Sequence, residues 1–249
     1  MSEYRTQFDA RGARYNGANR LFPEARAEEG ERIMAHMELV PGTRWLDVGA
    51  GGGFLSNFAA AAGIESRPVA CDESAAFLAE AGGYALRAVA KYERLPFGDR
   101  VFGAAGCLAV LHHAEELEPV IGEMLRVTAA GGRVAIGDVG AETRAARFLN
   151  GFVDAHTDTG HAGRFWDPAR LRSLLERAGG AGVRAEAVEL SWRFSSRSDA
   201  RFFCRELFGL REDTQDPDLE AALNWLGLAQ VGDGYRLPWG MVFASASAP

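Results

Sequence analysis

Cysteine is scarce in this chain. Cys71, Cys107 and Cys204 are spread over 249 residues, and none belongs to a C-x-x-C pair. An odd number at such wide spacing supports neither a disulfide framework nor a zinc knuckle. Reduced thiols in a cytoplasmic protein are the expectation. Also missing is any continuous apolar run long enough to cross a bilayer. Met1 to Arg14 is polar and lacks the apolar stretch of a secretory leader. There is no block of basic charge: the basic residues, mostly Arg, are scattered among acids, and the net charge is −7. That balance argues against a nucleic-acid partner, because phosphate neutralisation supplies most of such affinity. No internal repeat or low-complexity tract is present.

What the chain does have is the composition of a globular enzyme, 47% hydrophobic and 24% charged. Its length suits one domain and buries enough surface to need no covalent staple. Helical and strand patterns alternate. A helix is expected over Glu24–Met37, then a strand over Thr43–Val48 and a helix from Gly53 to about Ala62. Arg67–Cys71 is a second strand, Ser74–Ala81 a short helix and Tyr84–Ala90 a third strand. Val101–Leu108 is a fourth strand and Glu115–Thr128 a helix. Gly131-Gly132 reads as the turn before a fifth strand, Arg133–Val139. This rhythm implies an α/β fold, doubly wound, with a mostly parallel seven-stranded sheet and helices on both faces. After Val139 the rhythm loosens. Helices fit Thr143–Thr157 and Asp167–Ala178, and a strand fits Val183–Leu190. Two helical patterns, Asp199–Gly209 and Pro217–Leu228, precede Trp239–Ala246, which reads as a final edge strand. The expected organisation is a single domain over 1–249, with an N-terminal helical lid (1–42), a cofactor-binding core (43–139) and a substrate-side half (140–249). That half carries a helical insertion at about 195–230, before the last strand.

The most informative stretch is Trp45-Leu46-Asp47-Val48-Gly49-Ala50-Gly51-Gly52-Gly53-Phe54. A buried strand runs into a glycine turn and then a helix, a junction that offers backbone N–H groups to a ligand. A dinucleotide-binding turn would be G-x-G-x-x-G. Here Phe54 takes the third glycine position, and Asp47 precedes the turn, where it repels phosphate and welcomes a cation. Asp72 lies about twenty residues beyond, at a strand end, where a carboxylate can accept both hydroxyls of a ribose. In open sheets of this kind ligands bind beyond the carboxyl ends of the strands, which gathers Asp47, Gly49, Asp72 and His112 on one edge.

The pattern D-x-G-x-G-x-G after an apolar strand resembles the nucleotide loop of class I (Rossmann-like) S-adenosylmethionine (SAM) dependent methyltransferases. The string Glu93-Arg94-Leu95-Pro96-Phe97 resembles their small-molecule branch. The resemblance implies SAM as cofactor, with Asp47 near its ammonium, Gly49, Ala50, Gly51 and Gly53 along its methionine part, and Asp72 on its ribose. It places Tyr92 and Glu93 near the adenine and Leu108 at the edge facing the transferable methyl. Phe8 and Tyr15 match an opening segment that closes over the cofactor in this family. Two positions depart from the pattern: Lys91 stands where an acid often accepts from the adenine amino group, and Phe102-Gly103 stands where Phe-Asp is usual.

A neutral imidazole can take a proton near pH 7. His112, His113, His156 and His161 are therefore the candidate catalytic residues, and Arg164 and Trp166 the candidate substrate contacts. No metal is expected. The implied activity is methyl transfer to a small organic acceptor, with oxygen or nitrogen favoured and carbon open, in a biosynthetic pathway. The expected partner is that small molecule, with neither nucleic acid nor membrane, and a homodimer stays open. Two alternatives remain. One is a protein of the same fold that binds its ligand without methyl transfer. The other is an NAD-linked oxidoreductase, against which Phe54 and Asp47 count.

Overall fold

The structure is a computed structural model. It describes residues 3–82 and 86–249, so Gly83 and the first two residues of the expected third strand, Tyr84 and Ala85, lie outside the described residues. The strands are β1 (Thr43–Val48), β2 (Ser66–Asp72), β3 (Leu86–Val89), β4 (Phe102–Leu108), β5 (Thr128–Val139), β6 (Ala181–Phe194), β7 (Ala229–Val231) and β8 (Gly234–Ser247). They form one sheet in the order β3-β2-β1-β4-β5-β8-β6, with the short β7 paired to β8. β1 to β5 pair parallel to one another. β8 is antiparallel to β5, β6 and β7. The doubly wound, mostly parallel sheet is as the sequence implies, but the last strand is not at the edge. β8 is inserted between β5 and β6, and β6 is the edge. The sequence hides this because Trp239–Ala246 is apolar but for Ser245 and Gly240, a pattern that fits an interior strand as well as an edge one.

The helices are α1 (Glu3–Leu21), α2 (Ala27–Met37), α3 (Phe54–Ala61), α4 (Ala75–Ala79), α5 (Leu117–Val127), α6 (Arg144–Phe148), α7 (Asp154–His156), α8 (Pro168–Arg177), α9 (Arg197–Phe208) and α10 (Asp216–Leu226). Local chemistry sets several starts. The Asp167 carboxylate accepts from the Arg170 N–H at the head of α8, with Pro168 in the first turn. Ser74 and Ser196 cap α4 and α9 in the same way. Phe8 and Tyr15, which precede the first helix expected at Glu24–Met37, lie within α1. Gly131 and Gly132, expected as a turn, lie within β5, beside a register shift against β4.

The alternation of a strand puts successive side chains on opposite faces. Along β1, Trp45 packs into one apolar layer and Leu46 and Val48 into the other, and all three are buried. The first layer holds α2, α6, α9 and α10 against the sheet, and the second holds α5 and α8. Asp47 pairs in register with Ala70 and Gly106, and Leu108 with Gly137. The carboxyl ends of β1, β2, β4 and β5 therefore stand side by side, and that row is the floor of the site. α1 runs across it, packed against α4 on one side and α9 on the other.

Candidate active site

The glycine turn between β1 and α3 is built by backbone conformation. Gly49, Gly51 and Gly53 have φ of +72°, +51° and +84°, a region costly to a residue with a Cβ. Neighbouring side chains exploit the missing Cβ atoms. One at Gly49 would lie 2.5 Å from Val110, and one at Gly51 would lie 2.6 Å from the Phe77 ring. Gly49 and Ala50 donate to the carbonyl of Cys71, and the Gly51 N–H donates to Asp72 Oδ2 at 2.8 Å. The turn is thus tied to the end of β2. Gly53 caps α3 and lies outside the main cavity.

Asp72 is fully buried and saturated. It also accepts from the Ser74 N–H and from the phenol of Tyr4, at 2.9 Å each. Asp47 is buried too; it accepts from the Ser56 backbone N–H and, at a long 3.4 Å, from Ser56 Oγ, and no ion pair to it is seen among the described residues. Burial raises its carboxyl to about 7. A buried acid without a cationic partner, beside a glycine turn, suits an ammonium ligand.

The cavity in front of the turn is about 80 Å³. Gly49, Ala50 and Gly51 line it, as do Asp47, Leu108 and Tyr15, all expected from the sequence. Its roof is α1, through Tyr4, Phe8 and Arg11, and its far wall is Trp192, Trp239 and Phe208. Phe8 stacks on Phe77 at 4.8 Å, and Trp192 on Trp239 at 4.1 Å. Ala109, just past the carboxyl end of β4, holds φ +56° on the cavity wall, strain of the kind that collects at functional sites. Arg26 enters from the side. It pairs with the buried Glu29, donates to the Tyr15 phenol at 2.6 Å and lies 4.5 Å from the Phe54 ring. Arg11 donates to the Phe208 carbonyl, and its Nε is buried without a partner. Burial lowers the Arg11 guanidinium to about 10, where it still carries its charge at neutral pH.

Three of the four candidate histidines converge here. His112 and His113 follow β4 in a short 3₁₀ turn, and His161 comes from the loop before α8. The ring centroids of His112 lie 4.1 Å from His113 and 5.3 Å from His161. Asp138, at the end of β5, accepts from the His112 backbone N–H and bonds its Nδ1 at 2.7 Å. The outer nitrogen, Nε2, is left for the cavity. His161 bonds through Nδ1 to Asn150 Oδ1 at 3.1 Å. Asn150 belongs to a π-turn, Leu149–Val153, between α6 and α7, and such turns recur at functional sites. Burial lowers His113 well below the ordinary histidine value and takes His161 to about 3, with His112 beside both adding to the effect. Both rings are neutral at pH 7.

The remaining candidates lie elsewhere. His156 stacks on Phe152 and bonds its carbonyl, away from the cluster. Arg164 reaches the Glu115 carbonyl at 2.5 Å, while its N–H donates to the His112 carbonyl, so it braces the turn from outside. Trp166 packs into the α5–α8 layer. Tyr92 is buried edge-on to Tyr4, and one Glu93 oxygen is buried without a partner. Asp138, Asn150, Arg11 and Arg26 escaped the sequence reading. Asp138 had a usable signal, an acid closing a fifth strand; the other three carried none.

A model of the methyltransferase domain family matches residues 46–136, from the middle of β1 through most of β5. The matched stretch holds the glycine turn, Asp72 and the His112–His113 pair. Solved methyltransferases share the fold of the whole chain. A SAM-dependent methyltransferase from Thermotoga maritima, described as a "possible histamine N-methyltransferase", is 16% identical with a TM-score of 0.67, and the match covers 98% of this chain and 99% of that one. The phosphoethanolamine N-methyltransferase 2 of Haemonchus contortus, in complex with SAM, is 17% identical with a TM-score of 0.66, covering 98% of this chain and 58% of that one. The [4+2]-cyclase SpnF is 21% identical with a TM-score of 0.60, covering 90% and 81%. No curated protein matches the chain in sequence.

Proposed function

We propose that this protein transfers the methyl group of SAM to a small, largely planar organic acceptor. The observation that carries the proposal is the continuity of one cavity. It joins the glycine turn and Asp47 to an imidazole, His112, oriented by the buried carboxylate of Asp138. SAM, when bound, supplies an electrophilic methyl on a sulfonium. Asp47 holds the cofactor's ammonium, Gly49 to Gly51 lie along its methionine part, and Asp72 accepts from the ribose. His112 takes the proton of an acceptor oxygen or nitrogen, and Asp138 keeps that imidazole in the required tautomer. Trp192, Trp239 and Phe208 form an aromatic wall on which a planar acceptor can stack. An apolar, water-poor chamber suits methyl transfer, because alignment and exclusion of water supply much of the acceleration.

The lid belongs to the same proposal. A cavity of about 80 Å³ is well below the roughly 300 Å³ at which small-molecule sites begin. Tyr4 already holds the oxygen of Asp72 that a ribose would need. α1 therefore opens for the cofactor and closes again over it. Calorimetry with SAM, S-adenosylhomocysteine and NAD tests the proposal. Micromolar binding of the first two, none of NAD, and loss of SAM binding in Asp72→Ala are expected. Binding of neither adenosyl compound would overturn it. For the acceptor, release of S-adenosylhomocysteine is followed across small hydroxylated and aminated aromatics, with His112→Gln expected to slow turnover by about 10²–10⁴-fold.

A further inference from the structure

The cluster of His112, His113 and His161 supports a second role, in which the His112 Nε2 ligates an ion in place of taking a proton. We propose that they form a three-histidine site for a first-row divalent metal ion such as Zn²⁺, set at the acceptor end of the cavity. One ring nitrogen from each residue lies within 4.8 Å of the other two. The rings come from separate segments, the 3₁₀ turn after β4 and the loop before α8, so the meeting is a product of the tertiary fold.

The surroundings fit an ion. Metal-bound histidines commonly give their other ring nitrogen to a carboxylate or carbonyl, which fixes tautomer and orientation. His112 does this with Asp138, at 2.7 Å, and His161 with the side-chain oxygen of Asn150, at 3.1 Å. In both, Nε2 is the nitrogen left over. The His113 ring has no hydrogen-bond partner among the described residues, and it sits between Tyr4 and Phe8 of α1. Neutral imidazoles are the form that binds metal, and imidazole suits zinc, copper, iron and nickel rather than magnesium. Three protein ligands with a fourth position open is the pattern of catalytic zinc. With bonds of about 2.0–2.1 Å, a tetrahedral ion needs its nitrogens about 3.4 Å apart. The rings must close by about an ångström, which side-chain rotation supplies.

The charge balance names the fourth ligand. Three imidazoles bring no charge of their own, and the Arg11 guanidinium lies on the same cavity with a partnerless Nε. The Asp138 carboxylate behind His112 offsets one charge, and the dication with the buried guanidinium still leaves an excess of positive charge that a second anion reduces. The acceptor supplies that anion as an ionised hydroxyl or thiol. On ligation its O–H or S–H proton passes to water, and the ionised atom then forms the new bond to the methyl carbon while the electrons of the S–CH₃ bond stay with the cofactor's sulfur. In this arrangement His112 is a ligand and the ion lowers the acceptor's pKa. This last step rests on the methyltransferase reading; the metal site itself does not.

The test uses the full chain freed of metal with a chelator and titrated with Co²⁺ and Zn²⁺, followed by calorimetry and by the visible absorption of four-coordinate Co²⁺. The expected result is one ion per chain with intense visible bands. Affinity should fall at least about tenfold in His161→Ala and in His113→Ala, and by about 10–100-fold in Asp138→Asn, the usual cost of losing such a carboxylate. His156→Ala should bind as the parent does. Circular dichroism checks the fold of each variant, and Asn150→Ala, on the surface, gives a second route to weakened binding should His113→Ala fail to fold. Absence of the bands, or bands and affinity unchanged in His161→Ala, would overturn the site. SAM binding is measured on the same samples. An ion bound without SAM sinks the methyltransferase proposal and leaves the site standing; SAM bound without an ion does the reverse.

Discussion

Asp47 is a carboxylate held away from water with nothing cationic to face. Its carboxyl is raised to about 7 in the folded chain against 3.8 as the ordinary value. Between about pH 4 and pH 7 the native state therefore binds more protons at this residue than the unfolded state does. Stability contributed here falls as pH rises through that window. The full penalty above pH 7 is about 4 kcal/mol, three units at roughly 1.4 kcal/mol each. Asp47→Asn removes the titration. Thermal unfolding should show the variant gaining on the parent from pH 4 to pH 8, with SAM binding weakened at every pH. A difference that does not change with pH would contradict this account. Tyr4 offers a second test. Tyr4→Phe deletes the phenol that holds Asp72, and calorimetric SAM affinity should rise about tenfold, since a hydrogen bond to a charged group is worth roughly 1.5–3 kcal/mol. Gly51 is a poor place to test binding by substitution. A side chain there meets the Phe77 ring at positive φ, so folding suffers along with the ligand. At this scale the sequence exposed Asp47, the glycines and Asp72, because motif spacing carries them. It could not expose Asn150 or Arg11, whose roles depend on a π-turn and on a helix laid across the sheet.

α1 is the element on which the site turns. It is held to α9 by a two-pronged pair from Arg14 to Glu206, at 2.9 and 2.8 Å, and by Arg11 and Arg14 donating to the carbonyls of Phe208 and Leu210. On the other side Asp9 accepts from Ser74, and Asn16 lies over Gly52. If opening of α1 limits cofactor entry, Arg14→Ala should speed SAM association several-fold while moving the melting temperature little, because a partly exposed pair is worth about 0–1 kcal/mol. Stopped-flow tryptophan fluorescence reads this directly, with Trp192 and Trp239 on the cavity wall. An unchanged association rate would mean that the gate lies elsewhere. The inward stripe of α1 explains why its helix was hard to read. Tyr4, Gln7, Phe8, Arg11 and Tyr15 keep helical spacing, yet polar residues interrupt it, since the face covers a polar site rather than a core. The α2, α5 and α8 segments, which cover apolar sheet, were legible to within a few residues.

Across the whole molecule, cofactor binding should appear as stabilisation. SAM at a hundred times its dissociation constant adds about 2.7 kcal/mol to unfolding. For a chain of this size that is a rise of roughly 5–10 °C in melting temperature. NAD at the same concentration should add nothing, and equal stabilisation by NAD would overturn the cofactor assignment. The parallel half of the sheet was readable because each strand is followed by the turn and helix that return the chain to the same edge. The antiparallel half was not. No local signal tells a strand that it will enter between two others, and β8 does so between β5 and β6.

That placement has a consequence during synthesis. β6 ends at Phe194 and its partner β8 begins at Gly234. Among the described strands β6 pairs with no other. At about 5–20 residues per second, a ribosome leaves β6 without its neighbour for several seconds. During that interval β5 shows an unpaired edge as well, and the nascent chain carries two strands open to pairing with a stranger. Synthesis of β8 is thus what closes the sheet, and chaperone demand should peak just before that strand emerges.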